Sequence, residues 1–72
     1  MTDEEKLIVM HFAFKMKECR ESLGISQERL AEYAGLHRTY IGSIERSEKI
    51  PSLVTVVKIA KALNVSISQL IN

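Results

Sequence analysis

The segment from Ser26 to Arg46, SQERLAEYAGLHRTYIGSIER, restricts the folds open to this chain more than any other. Leu30, Ala31 and Ala34 fall on one face of a helix, and Ile41 and Ile44 share a face further on, with Gly35 between the two sets. Two short amphipathic helices around a tight glycine-bearing turn make a helix-turn-helix, whose second helix can lie in the DNA major groove. The small residues Ala31 and Gly35 are expected where the two helices approach closely. A polar outward set remains on the second helix: His37, Arg38, Thr39, Tyr40, Ser43 and Arg46. A surface that reads base edges needs such a set.

Seventy-two residues make one domain, residues 1–72, with no room for a second core. A chain this short buries only roughly 60% of its unfolded surface, so marginal stability is expected. A hydrophobic share of 46% is generous for that size and implies that a partner subunit covers some apolar surface. No P-loop, dinucleotide glycine fingerprint, nucleophile elbow, metal-ligand spacing, paired-carboxylate arrangement or cysteine–histidine constellation occurs, so neither an enzyme nor a cofactor is expected. A single cysteine, Cys19, excludes an intrachain disulfide and suits a reducing cytoplasm. The net charge of +1 neither supports nor excludes a nucleic-acid partner. Residues 7–14, LIVMHFAF, follow an acidic rather than basic stretch and are too few to span a bilayer, so they read as helix and not as a leader or membrane segment.

The chain divides into five helices and no strands, an all-α fold. The first runs from about Asp3, taken as its N-cap, to Leu23, and ends at Gly24. Phe12, Met16, Cys19 and Leu23 form one apolar stripe on it, and Leu7, Met10 and Phe14 form a second on another face. Ser26 caps the second helix without a complete capping box, because Arg29 stands where Glu or Gln would close it. His37 caps the third helix, which ends near Arg46 or Ser47. After the loop SEKIP, Ser52 caps a fourth helix from Leu53 to Leu63, with Leu53, Val56, Val57, Ala60 and Leu63 facing inward. Val54, Thr55, Val56 and Val57 also have strand propensity, but doublets every three residues favour helix. Asn64 suits the turn that follows, and Ser66 caps a last short helix bearing Ile67, Leu70 and Ile71.

SQERLAEYAGLHRTYIGSIER, followed by PSLVTVVKIAKALNVSISQLI, resembles the lambda-repressor-like helix-turn-helix family of five-helix domains over residues 12–72. Within that family, LHRTYI followed by IER looks like the controller proteins of bacterial restriction–modification systems, small homodimers that bind palindromic promoter DNA. The resemblance implies a phosphate contact for Gln27, at a helix N-terminus whose dipole also favours an anion. It implies base contacts for Arg38 and Thr39; an arginine there can grip guanine O6 and N7, worth about 1–3 kcal/mol of discrimination. Tyr40 is the mark of the subfamily, and Ser43 lies one turn on. Arg46 and Lys49 would hold phosphates, which set register rather than sequence. Arg20 and Glu45 match positions that pair in this family and would lock the first helix onto the third.

Each residue also has a plainer role. Arg38 could be a solvated helix residue, Tyr40 a core or interface aromatic, and His37 a cap alone. Arg20 and Glu45 could be unrelated surface charges. His11 reads as a surface or interface residue, and Cys19 as packing. Three positions depart from the family pattern: Ser47 replaces a glycine, so a left-handed cap there would be strained; Ile50 replaces an asparagine; and Val54 occupies a site usually charged. Val54, with Ile67, Leu70 and Ile71, predicts a homodimer interface within residues 52–72, aided by Leu7, Met10 and Phe14. The expectation is a cytoplasmic, nucleoid-associated bacterial or phage regulator binding a pseudo-palindromic duplex, with RNA polymerase as a further partner where it activates. A phage-type repressor is the nearest alternative. An antitoxin or adaptor would need a further tail beyond Asn72.

Overall fold

A computed structural model describes all residues, Met1–Asn72, as five helices: α1 (Asp3–Ser22), α2 (Gln27–Ala34), α3 (Arg38–Glu45), α4 (Leu53–Leu63) and α5 (Ile67–Ile71). The β-branched run in α4 is helical, as the doublet spacing predicts. Side-chain caps define the starts. Ser26, Ser52 and Ser66 each accept the backbone N–H of the third helical residue, and His37 caps α3 through Nδ1, which accepts the Thr39 N–H at 3.1 Å. One cap differs from expectation. Thr2 rather than Asp3 caps α1, and a reciprocal bond from its own N–H to the Glu5 carboxylate at 2.7 Å completes a capping box.

The core gathers Phe12 and Met16 of α1, Leu30 and Ala31 of α2, Ile41 and Ile44 of α3, Ile59, Ala60 and Leu63 of α4, and Leu70 of α5. Each large side chain fully buried there contributes about 1.5–3 kcal/mol by transfer from water. Helix α2 packs on α3 and α4, while α1 lies against α3 and α5. His11 Nε2 lies 2.9 Å from the Asn72 carbonyl and ties α1 to the end of α5.

Several faces are rotated from those read in the sequence. Leu70 is fully buried in the core, so it belongs to no dimer surface, and Ile67 packs half-buried against the same cluster. Leu53 is 75% exposed, ahead of the point where α4 meets the core, whereas Thr55 is buried with its Oγ1 accepting from Ser52 Oγ at 3.0 Å. Leu23 is exposed beyond the last turn of α1. Leu7, Met10, Phe14, Val54 and Ile71 do face solvent.

Candidate nucleic-acid interface

The turn between α2 and α3 depends on Gly35, which ends α2 in the left-handed conformation (φ 68°). Leu36 N–H then reaches back to Ala31 O at 2.9 Å and closes the turn. A side chain added at Gly35 would meet nothing within 4 Å. Backbone handedness, not the close helix approach expected from the sequence, therefore demands glycine there.

From the inner side, α3 is held by charge. Arg20 of α1 donates to Glu45 twice, Nε to Oε2 at 2.7 Å and Nη2 to Oε1 at 3.0 Å, and once to the Ile25 carbonyl at 2.8 Å. Gln27 Nε2 donates to the same Glu45 Oε1 at 3.0 Å. The Arg20 and Glu45 side chains are only 11% and 2% exposed. Hydrogen bonding to the Glu45 carboxylate outweighs burial and holds the Arg20 guanidinium above its ordinary range. One buried carboxylate thus joins α1, the start of α2 and the end of α3.

On the outer side lies an open cleft of about 570 Å³ between the N-termini of α2 and α3. Ser26, Gln27, Arg38, Thr39, Gly42 and Arg46 border it, and none of its lining is hydrophobic. Two helix N-termini and the exposed Arg38 and Arg46 favour an anion here, against Glu28 and Glu48; the charge of Arg20 is already met by Glu45. Arg38 and Thr39 are exposed, with Arg38 Nη1 a loose 3.8 Å from Glu28. Arg46 Nε and Nη2 donate to Glu48 at 3.0 and 3.2 Å, which raises the arginine and lowers the Glu48 carboxyl from their ordinary ranges.

Gln27, Arg38, Thr39 and Arg46 are therefore brought together, with His37 at the α3 cap and Lys49 exposed in the loop beyond. Tyr40 is half-buried against the core. Ser43 leaves the expected outward set: it is buried, and its hydroxyl donates to the Thr39 carbonyl at 2.9 Å. At the C-terminus of α3, Ser47 takes the left-handed conformation (φ 62°), with Ser47 N–H on Ile44 O and Glu48 N–H on Ser43 O, both at 2.9 Å. The strain expected of a serine in glycine's place is present. Sequence reading passed over Gly42 in the cleft floor, although a glycine inside a helix costs about 1 kcal/mol against alanine and so asks for a reason. It also passed over Glu48 as the partner of Arg46.

A solvent-facing α3 N-terminus beside an arginine-bearing cleft with no hydrophobic side chain in its lining fits a DNA-binding helix-turn-helix domain. A model of the helix-turn-helix family matches residues 16–70, and the chain belongs to that family. Control protein C.SmaI of Serratia marcescens is 49% identical over 59 residues, 82% of this chain and 70% of that protein. Control protein C.BamHI of Bacillus amyloliquefaciens is 41% identical over 73 residues, covering 100% and 86%. Among solved structures, the restriction-modification controller protein C.AhdI from Aeromonas hydrophila superposes with a TM-score of 0.84 at 39% identity, over 86% of this chain and 94% of that one. With these relatives, this is a DNA-binding transcriptional regulator and not an enzyme. No helix is long and apolar enough to cross a membrane.

Proposed function

We propose that two copies of this chain bind a pseudo-palindromic promoter duplex and control transcription of a restriction–modification system, activating at one site and repressing at an adjacent weaker one. The observation that carries the reading is the exposed pair Arg38–Thr39 at the first turn of α3, beside a polar cleft that Arg46 and Gln27 also border. Likeness to control proteins over nearly the whole chain supports the particular role. In this reading Arg38 and Thr39 reach base edges, Gln27, Arg46 and Lys49 hold phosphates, and Tyr40 lends its exposed edge to the backbone. His37 acts as the α3 cap. Such a protein works in the cytoplasm on the nucleoid, and activation brings it against RNA polymerase.

Helix α3 has eight residues, about 12 Å of rod, enough for roughly four base pairs. Selectivity therefore calls for two copies. A body of 31 × 23 × 20 Å beside its two-fold mate can set two such helices about 34–36 Å apart, one turn of duplex. Exposed Val54 and Ile71, with Leu7 beside Ile71, are the apolar surface we assign to the dimer. In vitro selection of bound duplexes, with sedimentation of the free and bound protein, tests the reading. A two-fold symmetric site bound by two chains is expected. An asymmetric or absent preference would overturn it.

A further inference from the structure

Gly42 sits in the middle of α3 with no backbone reason to be glycine: its φ is not positive, and the three atoms nearest to where its Cβ would stand all belong to side chains. A Cβ there would instead meet Arg46 Nη1 at 3.0 Å and Gln27 Oε1 at 3.4 Å. Both are ends of side chains that border the cleft. Arg46 folds back along α3, with Nε and Nη2 engaged by Glu48, and its remaining edge, Nη1, rests over Gly42. We propose that Gly42 is a positioning residue for DNA binding: its missing side chain is the seat that keeps the Arg46 guanidinium down in the cleft, where it can meet a backbone phosphate. This rests on the DNA-binding reading above and adds a residue that touches no DNA itself.

A methyl group at position 42 would crowd Nη1 at 3.0 Å, so the guanidinium must give way by at least a few tenths of an ångström. Arg46 is mostly exposed, so it swings outward at small cost to the fold. Alanine then supplies the helix propensity that glycine lacks, while the Arg46 guanidinium is displaced from its seat on the cleft floor. Gly42→Ala should melt about 4–8 °C higher than the unsubstituted chain. On the duplex selected with the unsubstituted protein it should bind about tenfold or more weakly, with a salt slope smaller by about one phosphate. In an Arg46→Ala background the same substitution should cost no further affinity. Unchanged affinity in Gly42→Ala, a lower melting temperature, or an equal loss with and without Arg46 would each overturn the inference. If Arg46→Ala lowers the slope and Gly42→Ala does not, only this inference falls. If Arg46→Ala also leaves the slope untouched, the phosphate reading of the cleft falls with it.

Discussion

Two arginine–glutamate pairs flank the same short helix with nearly the same geometry. Arg20–Glu45 bonds at 2.7 and 3.0 Å, Arg46–Glu48 at 3.0 and 3.2 Å. Burial separates them. The first pair is 11% and 2% exposed, the second 57% and 55%. In the interior, Glu45 has no water to replace a lost partner, so the pair acts as a fixed joint. At the surface, water and salt screen the attraction, so Arg46 can exchange one oxyanion for another. Similar bonds therefore serve opposite ends: one fixes α3 in the fold, and the other, on the proposed function, leaves Arg46 free to meet a phosphate.

The largest effect should follow removal of the fixed joint. Glu45→Ala strands the Arg20 cation and the Gln27 amide, and chemical denaturation should register a loss of about 3–5 kcal/mol, a large part of the stability of so small a domain. A loss no bigger than the ~1 kcal/mol of surface pairs would erase the contrast. Next, Arg38→Ala should cost about 1–3 kcal/mol of binding to the selected duplex while random-sequence duplex is bound almost as before. Retained preference would remove Arg38 from base reading. Between the two members of the exposed pair sits Ser47, and Ser47→Gly should raise stability by about 1 kcal/mol in thermal unfolding by relieving its left-handed backbone. Lys49→Ala should leave the melting temperature alone and flatten the salt dependence by about one unit on every sequence.

The smallest effect concerns the exposed pair and pH. Arg46 hydrogen bonding holds the Glu48 carboxyl below the ordinary carboxylate range. A group depressed in the folded state stabilises above its unfolded value and loses that effect as pH falls through the folded one. Any stability difference between the unsubstituted chain and Glu48→Gln should thus be confined to pH above the carboxylate range and vanish in acid. A difference that persisted in acid would mean that Glu48 acts through something other than its charge.

Most of the fold is written in local signals that survive without tertiary information. The serine caps, Gly35 and Asn64 at helix ends, and the spacing of Ile41 and Ile44 each act within a few residues. Arg20 and Glu45 are 25 positions apart, and only the family likeness pairs them from sequence. What was misread is where polarity and burial part company. Thr55 and Ser43 are buried because each satisfies its hydroxyl within four residues, which a hydrophobic scan cannot see. Leu70 was counted as surface because a five-residue helix has too few apolar positions to fix its inward face. Gly42 was passed over because its meaning lies in Arg46 and Gln27, not in the helix that contains it.

Glu45 anchors α3 from its last turn, whereas Arg38 and Thr39 project from its first. If Arg38 and Thr39 read bases as proposed, lettering and mount are carried on opposite ends of one rod. On that reading, descendants of such a gene could rewrite residues 38 and 39, and so acquire a new operator, without loosening what aims them.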